Sequence, residues 1–350
     1  MTAVAGVPTD RGTDFSVLSR HVKAAGLLRR RRTYYAVRAA VLALAMAAVV
    51  VAVWLLGNSW YQLIVATALG VVLTQIAFLG HDAGHQQMCR TRRCNDLIGT
   101  VAGNLLVGLS YGWWVDEHTR HHANPNHEER DPDVAESVLA FTARQVGART
   151  GLARQVAKHE AKLFFPLLTL EGLNLHVSAI THLWGGKPVR WPRAEKLLLV
   201  VHLIALIGLP LLAMPFGKVI AFVAISQAVF GVYMGCSFAP NHKGMPMLAE
   251  GDSLDFLRRQ VVPSRNISGS RLVDTLLGGL NYQIEHHLFP SMPSPALRQL
   301  QPIVRRHCRQ LGIPYTETGL LESYRIALRH MHQIGECARI GDKAAAASTP

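Results

Sequence analysis

Hydrophobic positions fall into long blocks along this chain, not into a fine alternation. Residues 39–56 are an uninterrupted apolar run, close to the ~20 residues needed to cross the hydrocarbon core of a bilayer. A short uncharged turn, Gly57-Asn58-Ser59-Trp60, follows, and residues 61–80 are apolar enough to return. Blocks at 197–214 and 219–238 repeat the arrangement around Pro215-Phe216-Gly217-Lys218. The pattern predicts an all-α integral membrane protein with four transmembrane helices in two hairpins, spanning about 37–57, 61–80, 197–214 and 219–238. Pro210 predicts a kink in the third span. Residues 164–184 have the length of a span but carry Glu171, Asn174, His176 and His182. Ionisable groups are costly in lipid, so an interfacial helix is expected there.

The polar segments complete the outline. Residues 1–28 read as a partly ordered arm without the apolar core of a signal peptide. Residues 96–112 are mildly apolar and Gly-rich and predict a helix against the membrane or capping a site, with Trp113 and Trp114 as interfacial anchors. Asn124-Pro125-Asn126 stops any helix before it, and Glu128, Glu129, Asp131 and Asp133 read as a solvated acidic loop. Residues 294–312 combine helical apolar spacing with many arginines and predict part of a cytoplasmic helical cap. The chain thus divides into an arm at 1–33, a membrane domain at 34–314, and a C-terminal helix with a disordered tail at 315–350.

Charge adds orientation. Arg29, Arg30, Arg31 and Arg32 precede the first span, which places that end in the cytoplasm. The uncharged turn after it belongs outside, so both termini are expected in the cytoplasm, in a bacterial plasma membrane. The net charge of +13 is explained by basic residues beside spans facing anionic lipid. No recognition motif points to nucleic acid. Arg144, Arg149, Arg154 and Lys158 read as a solvated basic face. The five cysteines are odd in number and scattered, which fits unpaired thiols in a reducing compartment. Cys89 and Cys94 lie closer together but lack a zinc-site spacing.

Candidate chemistry comes from histidine. His118, His121 and His122 sit at i, i+3 and i+4, a spacing that stacks all three rings on one helical face. His81-Asp82-Ala83-Gly84-His85 places two rings one turn apart, and Gln283-Ile284-Glu285-His286-His287 repeats the spacing with Gln first. His242, after Pro240-Asn241, makes an eighth histidine at the same side of the membrane. A structural zinc site closes with four ligands, so eight fit two metal ions with open positions. Gln283 and Asn241 are candidate supporting residues. His202, a lone ring in an apolar run, is expected to pack inside the bundle. Two-metal hydrolysis, oxygen-dependent redox chemistry on an acyl chain, and metal transport are all open to such a set. Transport wants ligands inside the spans, whereas these lie just beyond span ends.

These three motifs, the last extended over Asn281-Tyr282-Gln283-Ile284-Glu285-His286-His287-Leu288-Phe289-Pro290, resemble the histidine boxes of the integral-membrane fatty acid desaturases. The Gln-xx-His-His form and residues 238–246 are similar to the actinobacterial acyl-CoA desaturases and the front-end and linoleoyl-CoA desaturase-like group. The likeness covers roughly residues 34–314. It implies a cap over a four-span base and a di-iron centre ligated by His81, His85, His118, His121, His122, His242, His286 and His287. It further implies dioxygen as co-substrate and insertion of a cis double bond into a fatty acyl chain, probed first as acyl-CoA, with carrier-protein and lipid-linked chains as other head groups. Electrons would come from an external donor such as a ferredoxin or a reductase, since the arm is too short for a fused cytochrome domain. Two departures stand out: Gln283 replaces a histidine found in many relatives, and Phe238 replaces an asparagine one turn before the extra histidine. A hydroxylase on the same scaffold is the alternative, and a metal transporter the alternative of another class.

Overall fold

The structure is a computed structural model, and it describes residues 13–135 and 137–347. Residues 1–12, at the start of the expected arm, lie outside the described residues, as do 348–350. The described part of the arm is α1 (Asp14–Ala24), capped by the Thr13 hydroxyl, which accepts from Ser16 N at 3.2 Å. It is docked: Leu18 and Val22 are fully buried against Leu297, Leu300 and Ile284. Then come α2 (Arg32–Leu56), α3 (Gln62–Gly84), α4 (Arg92–Thr100), a π-helical turn (Val101–Val107) and α5 (Tyr111–Ala123). Three cap helices follow, α6 (Pro132–Ala135), α7 (Ala143–Ala148) and α8 (Gly151–Leu168), and then α9 (Glu171–Trp184). The second hairpin is α10 (Pro192–Leu211) and α11 (Phe216–His242).

The remainder forms the cap: α12 (Phe256–Val261), β1 (Arg265–Ser268), α13 (Arg271–Leu276), α14 (Gln283–Leu288), α15 (Ser294–Gln310), β2 (Thr316–Gly319) and α16 (Leu320–Ala347). Strands β1 and β2 pair in parallel, from Arg265 opposite Thr316 to Ser268 opposite Gly319. Four residues each are too few to print an alternation on the sequence, so the all-α expectation missed them. Helix α16 runs to Ala347, where a disordered tail was expected. Its last four residues are alanines, the best helix formers.

Among the described residues, α2, α3, α10 and α11 are the helices long and apolar enough to cross a membrane singly. Their flanks expose apolar side chains that a water-soluble fold would cover: Leu44 is 71% and Leu55 81% exposed. Only 11% of the most apolar window of α2 is buried, against 50% for α3. Helix α3 is therefore the central span and α2 faces lipid. Helices α3 and α11 cross at Gly70, where an added Cβ would lie 2.7 Å from Ser226 O, too close for any side chain.

Three expectations change. Helices α8 and α9 meet at a bend of 82°, so the 164–184 segment is two helices, with Glu171 and Asn174 near the elbow and His176 and His182 further along α9. Pro210 falls in the last turn of α10 and helps to end it instead of kinking its middle. Cys89 and Cys94, expected as unpaired thiols, form a disulfide with Cα atoms 5.9 Å apart. The turn between α3 and α4 folds back on itself and brings them together.

Candidate metal centre

Four elements deliver the histidines to one layer, where the spans meet the cap. The end of α3 carries His81 and His85. Helix α5 starts at the Ser110 hydroxyl, which accepts from Trp113 N at 3.2 Å, and places His118, His121 and His122 in its last two turns. The last residue of α11 is His242, and α14 supplies His286 and His287.

The rings form two clusters. Ligand atoms of His81, His85, His118 and His286 lie within 4.8 Å of one another, as do those of His121, His242 and His287. His122 sits between them, its Nε2 3.1 Å from His118 Nε2 and its ring stacked on His287 at 4.2 Å. All eight predicted histidines are thus brought together.

Nitrogen chemistry fits a metal. The Nε2 atoms of His81, His85 and His286 are buried without a hydrogen-bond partner. Such orphans are costly unless something accepts their lone pairs. Burial first, and then crowding by neighbouring rings, pushes the imidazoles of His85, His118, His122, His286 and His287 well below the usual range. They are neutral at pH 7, the state that ligates.

Most of the supporting residues escaped the sequence reading. Asp131, assigned to a solvated loop, is 1% exposed. Both its oxygens lie 3.0 Å from His121 Nδ1, and it also accepts from Asn126 N at 2.7 Å and Asp133 N at 3.0 Å. Burial alone would lower the His121 pKa, but the Asp131 and Asp133 carboxylates outweigh it and raise it. His242 Nδ1 lies 3.0 Å from the Pro263 carbonyl and His287 Nδ1 3.1 Å from Gln260 Oε1. Gln260 also donates to the His122 carbonyl. His81 Nδ1 lies 3.2 Å from Asp82, which Tyr35 and Ser294 hold in turn. In each case a fixed Nδ1 leaves Nε2 for a metal. Asn126, read as a helix breaker, donates to the His242, Met245 and Pro246 carbonyls and joins α5 to the end of α11. An acid within a His-box motif was the one available signal, and Asp82 and Glu285 gave it.

Gln283 and Asn241 are where they were expected, with a defined orientation. Gln283 Nε2 faces His242 Nε2 and His287 Nε2, each at 2.9 Å. Its oxygen accepts from Asn241 Nδ2 at 3.0 Å, and Asn241 is pinned by the Ser237 and Leu280 carbonyls. Glu285, between Gln283 and the paired histidines, is fully buried and accepts from Asn266 and Tyr315, tying α14 to the cap. Burial pushes its carboxyl up to about 7.

An apolar cavity of about 40 Å³ touches the four-histidine cluster, lined by Gly80, His81, Val107, Leu109, Trp114 and Phe238 among others. Trp114, predicted as a membrane anchor, instead stacks on His118 with ring centroids 4.5 Å apart. An added Cβ at Gly84 would lie 2.5 Å from the Trp114 ring, so the small residue in the first box admits the indole. Phe238, the departure noted in the sequence, forms the facing wall, 6.4 Å from the His81 ring. His202 is buried inside the bundle as expected, paired with His176 at 3.2 Å and away from both clusters.

Comparison with known proteins agrees with this geometry. The chain is 28% identical over 331 residues to a Delta(8)-fatty-acid desaturase of Helianthus annuus, covering 90% of the chain and 71% of the relative. It is 30% identical over 287 residues to an acyl-lipid (9-3)-desaturase of Borago officinalis, covering 77% and 63%. A Delta(6)-fatty-acid desaturase of Caenorhabditis elegans is 28% identical over 334 residues, covering 89% and 72%. The family model for fatty acid desaturases matches residues 58–319, a stretch that runs from the first hairpin turn to the end of β2 and holds all eight histidines. An integral membrane protein with these boxes in this order belongs to the fatty acid desaturase family.

Proposed function

We propose that the protein is an oxygen-dependent desaturase that inserts a cis double bond into a fatty acyl chain. One iron would be held by His81, His85, His118 and His286, a second by His121, His242 and His287, with His122 between them. When bound, the iron pair supplies the oxygen activation needed to take hydrogen from an unactivated C–H bond. The protein's own part is binding, orientation and exclusion of water. Asp82, Asp131 and Gln260 hold rings in place, and Val107, Leu109 and Phe238 offer the chain a dry surface beside His81. The observation that carries the reading is the cluster of orphaned Nε2 atoms of His81, His85 and His286, with His81 lining an apolar cavity.

Acyl-CoA is the substrate form we assign first. The named relatives act on fatty acids and acyl-lipids, so lipid-linked chains are the competing form. Two electrons per turnover would come from a separate ferredoxin or reductase. Expression in a desaturase-deficient host, with fatty-acid profiling by head group, tests this. A new alkene in the acyl-CoA or lipid pool is the expected result, while an alcohol would replace the reading by hydroxylation, and no change with iron fully loaded would reject it.

Both termini and the metal layer are placed in the cytoplasm, from Arg29, Arg30, Arg31 and Arg32 and the uncharged turn. A cysteine introduced at Ser59 should react with an impermeant thiol reagent added outside, and one at Ser137 should not. The reverse pattern would invert the topology.

A further inference from the structure

Cys89 and Cys94 belong to no histidine box, yet they lie on the turn that leaves the first one, four residues beyond His85. The turn is braced without help from sulfur. Asn95, fully buried, accepts from Met88 N at 3.1 Å and Cys89 N at 2.9 Å. Its amide donates to the Cys89 and Thr91 carbonyls at 3.1 and 2.9 Å. The two sulfurs therefore stay neighbours whether or not they are bonded, a high effective concentration for closure. Their environments differ. Cys94 is the third residue of α4, at the positive end of the helix dipole, with its N–H capped by the Thr91 hydroxyl; Arg92, paired with Asp96, and Arg93 precede it. Those are the surroundings that turn a thiol into a reactive thiolate. Cys89 lies outside the helix. Both are half-buried and in reach of solvent.

We infer that Cys89 and Cys94 form a redox-active pair that reacts with hydrogen peroxide, Cys94 attacking and Cys89 resolving. The Cys94 thiolate attacks one peroxide oxygen, the O–O bond breaks, and hydroxide leaves, taking the thiol proton to become water. Cys94 is now a sulfenic acid. The Cys89 sulfur then attacks the Cys94 sulfur, the S–O bond breaks, and the departing hydroxide leaves as water with the Cys89 proton. Two thiols lose two electrons and one peroxide becomes two waters. Peroxide as a by-product of the proposed oxygen chemistry rests on that function. The reaction of the pair does not.

The test uses full-length protein in detergent, reduced with dithiothreitol, desalted, exposed to hydrogen peroxide and labelled with a maleimide before peptide mass spectrometry. Cys89 and Cys94 should lose their labels together and regain them after dithiothreitol, while exposed Cys337 keeps its label. Cys94→Ser should leave Cys89 labelled after peroxide, and Cys89→Ser should leave a Cys94 sulfenic acid that dimedone traps. Retention of both labels in the wild type, at the level of Cys337, overturns the pair. Loss of the Cys89 label in Cys94→Ser overturns the assigned order. Desaturation is not read at any step, so a wrong function and a wrong thiol pair give different results.

Discussion

In the cluster of His121, His242 and His287, every ring has its Nδ1 tied to an acceptor: Asp131, the Pro263 carbonyl and Gln260. In the cluster of His81, His85, His118 and His286, His81 alone among the described residues is held that way, by Asp82. The other three rings are positioned by each other and by Trp114, with His85 to His118 at 4.9 Å and Trp114 to His118 at 4.5 Å. One cluster is thus oriented by hydrogen bonds and the other by packing, and the packed one borders the apolar cavity. Hydrogen bonds fix direction within a narrow range, whereas packing fixes position only while its volume stays filled.

Ligand removal gives the largest effect and should be equal in the two clusters. His242→Lys keeps a positive charge but offers no lone pair when protonated. It should drop bound iron from two per chain toward one and take activity to background, as His286→Gln should in the other cluster. A fully loaded, active His242→Lys enzyme would remove His242 from the ligand set.

The clusters should part at the next layer. Asp131→Asn keeps the shape but weakens the hold on His121, and metal affinity in that cluster should fall about 10–100-fold. Chelator competition should show one metal leaving early and the other unchanged. If both leave together, the clusters are not independent.

Packing is probed by Trp114→Leu, which unstacks His118 and opens the cavity wall. Turnover should fall roughly tenfold, a barrier change of ~1.4 kcal/mol, with iron content kept. Loss of iron there would mean that the indole holds ligands as firmly as the carboxylate does. The smallest change is expected for Gln283→His. Its amide nitrogen, not its oxygen, faces His242 and His287, and measurable activity should remain. Activity as low as in His286→Gln would show that the amide has a role imidazole cannot fill.

The four spans were readable because a bilayer demands some twenty consecutive apolar residues, and the observed helices Arg32–Leu56 and Gln62–Gly84 cover the first two predicted spans to within one residue. The histidine layer was readable because helical spacing puts His118, His121 and His122 on one face. Asp131, Gln260 and Asn126 were not, because what gives them a role is tertiary burial. An aspartate in an acidic stretch looks solvated until another segment covers it. Trp114 was misplaced for a related reason. An indole at a span end suits the interface equally well, and only the notch at Gly84 draws it inward.

Arg265 lies fully buried at the start of β1. Its guanidinium donates to the Pro240 and Lys243 carbonyls, at the end of α11 beside His242, and to the Ser323 carbonyl in α16. This sets an order for the making of the protein. A chain emerging from the ribosome amino end first would have all its spans in the bilayer while His242 still lacked the clamp that fixes its helix end. Its last bond forms only after Ser323 has been synthesised, when His286 and His287 are also already out. Iron delivered earlier would meet an incomplete set of rings. On that order, truncation before Ser323 should yield inserted, iron-poor protein.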